Sequence, residues 1–242
     1  MKIYAIADLH LSFEDFVEPA NWEEVKEYKS MEIFGEKWRM HYKKIYENCL
    51  DIVTENDLLL IPGDISWATN LKEMEADIDF IRKLPGKKIF IKGNHDYWWK
   101  GVNSLRTALP DDFYLIQNDS LIFNGVALAG SRAWTVPNTY QFSEKDKKIF
   151  NRELIRLELS LKSIQKAEKI IVMLHYMPTN EQHEHNQLIA LLEKYNVDIC
   201  IYGHLHGDES HEIRLEGQKW GIEFNLVSSD FIDFKPRLIF PK

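Results

Sequence analysis

Histidine, aspartate and asparagine stand at one recurring kind of place in this chain, directly after a short apolar run. Lys2–Ala7 leads into Asp8-Leu-His10, Leu58–Ile61 into Gly63-Asp64, and Lys88–Ile91 into Gly93-Asn94-His95-Asp96. Ile170–Leu174 leads into His175, and Ile199–Tyr202 into Gly203-His204-Leu-His206. Imidazole combined with carboxylate suits Mn, Fe, Zn, Co or Ni, and the lack of a usable thiolate argues against a soft structural site. Seven oxygen or nitrogen candidates (Asp8, His10, Asp64, Asn94, His175, His204 and His206) exceed what one tetrahedral ion uses. Two ions sharing a bridging carboxylate account for them better. Two divalent ions outweigh the Asp8 and Asp64 carboxylates and a bridging hydroxide, which makes a site that attracts an anionic ester.

Such residues need elements that bring them together. Short apolar runs ended by polar punctuation read as strands buried on both faces, and Val126–Ala129 adds a sixth to the five above. In open α/β sheets, ligands bind beyond the carboxyl ends of the strands. Residues two apart on a strand point the same way, so Asp8 with His10, and His204 with His206, are each expected to face one site. Glycines before Asp64, Asn94 and His204 permit tight turns and close backbone approach. Helical spacing marks Tyr42–Val53, Leu71–Ile81 and Phe150–Ile164. Asn70 with Glu73, and Ser143 with Asp146, occupy N-cap and third-position sites. The alternation in His211–Glu216, Ile222–Val227 and Arg237–Phe240 predicts closing antiparallel strands, so the expected class is α/β.

Composition narrows the partners. The 242 residues carry 30 lysines and arginines against 38 acidic residues, for a net charge of -8. That balance lacks the basic footprint of a duplex-tracking protein, so bulk nucleic-acid binding is not expected. No apolar run exceeds five residues, the length of Ile3–Ala7 and Ile170–Leu174 among others, far short of the ~20 that span a bilayer. The N-terminal segment reaches Asp8 too early for a signal-peptide core, which predicts a cytoplasmic protein. Two cysteines exclude a disulfide framework, and Cys49 and Cys200 read as buried, reduced thiols. No repeat or Pro/Gly/Ser-rich linker divides residues 1–242, so one domain is expected.

Each block alone has an ordinary explanation, since Asp-x-His is common and Gly-Asn-His-Asp is often a turn. In order, and always after strands, they resemble the five-block signature of calcineurin-like metallophosphoesterases: Asp8-x-His10, Gly63-Asp64, Gly93-Asn94-His95-Asp96, His175 and Gly203-His204-x-His206. Gly-Asp-Ile-Ser-Trp67, Lys92-Gly-Asn-His-Asp-Tyr-Trp-Trp99 and Gly130-Ser-Arg-Ala-Trp134 further resemble a group of bacterial predicted phosphohydrolases. The resemblance implies a four-layer α/β/β/α sandwich with two divalent or trivalent transition-metal ions, Mn, Fe or Zn foremost. It implies Asp8, His10, Asp64 and His206 at the first ion. Asp64 as bridge, with Asn94, His175 and His204, would hold the second. It makes His95 the non-ligand histidine that protonates the leaving oxygen, after attack of a dimetal-bridging hydroxide on a small phosphoester. Asp96 is a candidate to orient His95. Protein serine/threonine phosphatases of this superfamily continue Gly-Asp-x-x-Asp-Arg-Gly, whereas here Gly63-Asp64 continues Ile-Ser-Trp67-Ala68-Thr69. Arg132 is the candidate to supply the phosphate contact that their arginine makes.

Residues 13–38 hold Phe13, Phe16, Trp22, Tyr28, Phe34 and Trp38 in an irregular stretch beginning three residues after His10. Six rings in such a loop either staple it to the sandwich or cover the substrate. Trp98 and Trp99 are core residues or a platform for a base or acyl group. His183 and His185, in a polar stretch, read as solvated. Beside a soluble phosphomonoesterase or phosphodiesterase stand three other readings. They are a membrane-surface hydrolase of nucleotide-diphosphate lipids, a nuclease, and a non-catalytic scaffold, the last disfavoured by the intact ligand set. No oligomeric state is read from the sequence.

Overall fold

A computed structural model describes residues 1–140 and 142–241. Two sheets lie face to face. The first contains β1 (Ile3–Ala5), β2 (Leu58–Pro62), β3 (Lys87–Ile91) and β4 (Phe113–Leu115), all parallel, with β11 (Arg237–Phe240) antiparallel beside β1. The second has the order β5 (Ser120–Phe123), β6 (Val126–Ser131), β7 (Lys169–Leu174), β8 (Ile199–Tyr202), β10 (Ile222–Leu226) and β9 (Gly217–Lys219). Its four inner strands are parallel, and β5 and β9 close the edges antiparallel.

Period-two alternation sorts each strand into two cores. Ile3, Ala5, Leu58, Leu60, Ile89, Ile171, Met173, Ile199 and Ile201 meet between the sheets. Their neighbours Tyr4, Leu59, Ile61 and Phe90 face outward onto α1 (His41–Ile52), α2 (Glu75–Arg82) and α3 (Val102–Ala108). Val172, Leu174, Cys200 and Tyr202 face the other way, onto α4 (Glu144–Lys162) and α5 (Gln187–Lys194). Three apolar cores between four layers make an α/β/β/α sandwich, which is why its strands are apolar on both faces. Ser143 and Asp146 form the reciprocal capping box at the start of α4. Cys49 and Cys200 are buried and unbridged.

The end of β1 joins the sheets. Beyond Ala5 the chain keeps its bonds to the first sheet, Ile6 N–H donating to the Leu60 carbonyl at 3.0 Å, and also pairs with the stretch after β10, where Ala7 N–H donates to the Val227 carbonyl at 2.7 Å. Both sheets therefore deliver their parallel C-terminal ends to one seam.

Three expectations are corrected. Residues 208–212 form a short helix, α6 (Asp208–Glu212), where alternation in His211–Glu216 had suggested a strand. β10 lies between β8 and β9, parallel to the first and antiparallel to the second, so the expected antiparallel pairing holds only on its outer side. Asn70 caps only a turn, through the amides of Lys72 and Glu73, and α2 starts later at Glu75. No helix among the described residues is long and apolar enough to cross a membrane.

Candidate metal centre

Every sequence-predicted ligand lies just past a strand, on backbone bent out of the pleat. Asp8, His10, Asp64 and His204 all have left-handed backbone, with φ of 61°, 46°, 49° and 72°. For residues other than glycine that conformation costs on the order of 1–3 kcal/mol each and persists only where surrounding bonds over-determine it. Those bonds are present. Asp8 N–H donates to the Gly63 carbonyl and His10 N–H to the Asp64 carbonyl, each at 3.0 Å. The Ser229 hydroxyl donates to the Asp8 carbonyl at 2.8 Å. Gly93 and Gly203 are required by close approach, since a Cβ at either would collide with the carboxylate of Asp64 or Asp8.

Two clusters result. The ligand atoms of Asp8, His10 and His206 lie within 4.8 Å of one another, and so do those of Asp64, His175 and His204. Asp64 reaches an Nε2 atom in each: its Oδ2 is 3.4 Å from His175 Nε2 and 3.9 Å from His10 Nε2, whereas Asp8 Oδ1, 3.6 Å from His206 Nε2, approaches His175 only at Nδ1, at 3.7 Å. Asn94 Oδ1 lies 2.7 Å from His175 Nε2. All seven candidates are thus brought together, but His204 and His206 join different clusters. The pleat argument fails for them because both lie beyond the last residue of β8.

Second partners fix how the imidazoles face. His175 Nδ1 bonds the Pro62 carbonyl at 3.1 Å, and His206 Nδ1 bonds Asp230 Oδ1 at 2.8 Å. Since carbonyl and carboxylate only accept, both Nδ1 atoms donate, and each Nε2 is turned toward a cluster as a metal-binding histidine requires. Asp230 was not foreseen, although it stands after β10 by the same strand-end rule that found the others. It also accepts the Gly207 amide at 3.0 Å, bracing the His206 loop.

Electrostatics suit cations. Burial pushes His204 down to about 3 and His10 well below its ordinary value. Burial alone would also lower His206, but the Asp8 and Asp230 carboxylates override it and raise it to about 10. Burial would raise Asp64, yet the His175 and His10 imidazoles hold it well below the usual carboxylate range. Asp8 Oδ1 is buried with no hydrogen-bond partner among the described residues. An orphaned buried carboxylate oxygen is costly unless a cation meets it. The donors are imidazole nitrogens and carboxyl or amide oxygens, a set that fits borderline transition metals.

His95 sits at the rim, with a third of its side chain exposed, its Nε2 4.0 Å from Asp64 Oδ2 and its ring 4.3 Å from that of Trp67. Trp67 stacks on His10 at 4.9 Å and carries the Lys29 ammonium 3.0 Å over its face. The sequence marks Trp67 only as the end of the Gly-Asp-Ile-Ser-Trp67 block, without a role, and nothing in it marks Lys29, because neither belongs to a ligand pattern.

Two sequence expectations change. Asp96, fully buried, accepts from the amides of Gly93, Asp64, Ile65 and Ser66 and from the Trp98 indole. Its carboxylate thus pins the loops after β2 and β3 to each other and has no bond to His95. Arg132 meets Glu153 and the face of Trp134, in a cavity whose lining includes none of the seven ligand candidates. Trp98 and Trp99 are core residues, buried and bonded to Asp96 and Gln117. His183 and His185 bond the Ile213 carbonyl and Glu193.

The segment 13–38 divides by burial. Phe13 and Trp38 are buried, and Trp38 meets His10 at 6.0 Å and His206 at 5.4 Å edge-on. Phe16 and Phe34 are more than half exposed.

The fold and the paired N/O clusters at its seam define an α/β/β/α sandwich with a candidate two-ion centre. The calcineurin-like phosphoesterase family model matches residues 1–208, and the chain belongs to that family. Among relatives, a protein named probable cyclic nucleotide phosphodiesterase from Coxiella burnetii is 22% identical over 220 residues, covering 86% of this chain and 77% of its own. An uncharacterized protein of Methanocaldococcus jannaschii is 22% identical over 184 residues, 70% of this chain and 94% of its own. The crystal structure of a phosphopantetheinyl hydrolase from Mycobacterium tuberculosis superposes with a TM-score of 0.56 at 13% identity, covering 100% of this chain and 96% of that one.

Proposed function

We propose that this phosphoesterase hydrolyses a small soluble phosphomonoester or phosphodiester in the cytoplasm, using two transition-metal ions, with the whole of residues 1–242 as one catalytic domain. Asp8, His10 and His206 would hold one ion, His175, His204 and Asn94 the other, and Asp64 both. The observation that carries this reading is the Asp64 carboxylate standing within 4 Å of a histidine Nε2 from each cluster, whereas Asp8 meets His175 only at the Nδ1 that faces the Pro62 carbonyl. When bound, such ions neutralise phosphoryl charge and supply an activated water.

The chain's own groups would do the rest. His95, at the rim and beside Asp64, is suited to give a proton to the departing oxygen, a role a positioned imidazole fills for a typical gain of ~10²–10⁴-fold. Burial lowers its pKa, partly offset by Asp64, and an anionic ester nearby would pull it upward. Trp67 holds the His10 and His95 rings, and Lys29 above it would meet the ester's remaining negative charge. Phe16 and Phe34 are the parts of segment 13–38 free to cover a substrate. The Coxiella relative's name makes cyclic nucleotides the first diesters to try.

The test is metal analysis of the purified chain, then a panel of monoesters and diesters with Mn²⁺ added. Two ions per chain and chelator-sensitive hydrolysis are expected. Full activity after exhaustive chelation, or fewer than one ion at saturation, would refute the reading.

A further inference from the structure

A cation-rich cavity that shares no lining residue with the ligand clusters lies where the ends of β3, β4 and β6 meet α4. It measures about 220 Å³ and is lined by Lys92, Gln117, Ser131, Arg132, Glu153 and Arg156, with Arg152 at its wall. Three guanidiniums thus meet one carboxylate, and Lys92, whose Nζ donates to the Trp99 carbonyl at 2.8 Å, adds a fourth cation to the lining, in a protein whose net charge is -8. Glu153 is 2% exposed, and its Oε1 alone meets all three guanidiniums, at 2.9 Å for Arg156 and 3.4 Å for Arg132 and Arg152. One carboxylate cannot balance that charge. The Nε of Arg132 is buried with no hydrogen-bond partner among the described residues.

We propose that this cavity binds a phosphate-type anion, at a site distinct from the metal-ligand clusters. Planar guanidiniums match phosphate oxygens in pairs, and a recess of one charge sign concentrates an oppositely charged ion. Gln117 and Ser131 add neutral donors. The volume is below the ~300 Å³ at which sites for drug-sized ligands begin, so the cavity suits one phosphate group and not a whole nucleotide. The site stands beside the second cluster. Lys92 is two residues before Asn94, and the Arg132 carbonyl accepts the amides of His175 and Tyr176 at 3.2 and 3.1 Å. The anion is therefore a second phosphate carried by the substrate or a free phosphate, and the charge arrangement is the same for both.

The proposal does not depend on bound metal, so it is tested on the full chain in excess EDTA. Inorganic phosphate is titrated calorimetrically, with chloride at equal ionic strength as control. Saturable one-site binding is expected, weakened about tenfold in Arg156→Gln and in Lys92→Met. Arg156 is partly exposed and Lys92→Met leaves the Glu153 cluster intact, so one variant answers if the other does not fold. A second arm, with Mn²⁺ restored, compares a nucleoside bisphosphate with a simple aryl phosphate. A substrate-borne phosphate raises KM for the bisphosphate about tenfold relative to the aryl ester in Arg156→Gln, whereas a free anion leaves that ratio unchanged while the calorimetric loss persists. Absence of binding in EDTA, or equal affinity in wild type and both variants, would overturn the proposal.

Discussion

Asp230 accepts the Nδ1 proton of His206 at 2.8 Å, and that one bond turns the opposite ring nitrogen toward Asp8 and His10. A carboxylate in this position fixes tautomer and orientation and makes the imidazole a better donor to metal. Asp230→Asn should therefore fold normally yet bind the first ion about 10–100-fold more weakly, read by chelator competition. Unchanged affinity would make Asp230 only a brace for the Gly207 turn.

The roles of Asp64 and His95 should separate. Asp64→Ala removes the carboxylate that meets an Nε2 in each cluster and should lose metal and activity together. His95→Ala should keep metal content while turnover on a poor leaving group falls ~10²-fold or more. An activated aryl ester needs little protonation and should suffer less. Equal losses on both esters would leave His95 as a positioning residue.

Trp38 and Lys29 divide stapling from recognition within segment 13–38. Trp38, 4% exposed and packed on His41, Phe234 and two ligand histidines, should cost ~3–5 kcal/mol as alanine, with the preference between esters unchanged. Lys29→Ala should instead raise KM for anionic esters while the melting temperature stays near wild type. The reverse pattern would place recognition on the tryptophan.

Stability should fall toward alkaline pH through Asp77. Burial raises its carboxyl to about 7, against hydrogen bonds from the Ser66 hydroxyl and the Phe13 amide. Because the folded-state value lies above the unfolded ~3.9, its contribution is complete below pH ~4 and is lost as pH rises through about 7. Asp77→Asn abolishes that titration, so its melting temperature relative to wild type should improve from about pH 5 to about pH 8. Glu27, also raised to about 7, chiefly by burial and in smaller part by Asp77, titrates in both proteins, so only the part it owes to Asp77 enters the comparison. A pH-independent difference would contradict the assignment.

The strand ends and the ligand set were legible because buried parallel strands are continuous apolar runs, each broken off by plainly polar residues. Helices α1 and α4 were legible from their stripes, and the α4 cap from Ser143 and Asp146. Orientation was not. Alternation along a strand says nothing about residues past its end, so it put His204 and His206 on one site, and only the family resemblance assigned them to different ions; a left-handed turn at His204 stands between them. Asp96 looked catalytic because it adjoins His95, yet backbone amides outcompeted the imidazole for its oxygens. Asp230 escaped notice because it stands alone after its strand, with no neighbouring histidine to mark it.

The clasp between Ser229 and the Asp8 carbonyl joins residues 221 positions apart. The first candidate ligand thus leaves the ribosome long before the residues that hold its backbone in place. On the proposed two-ion reading, a pocket of the right geometry would exist only once translation has passed Asp230 and the two sheets have closed, so metal loading would report that folding is complete.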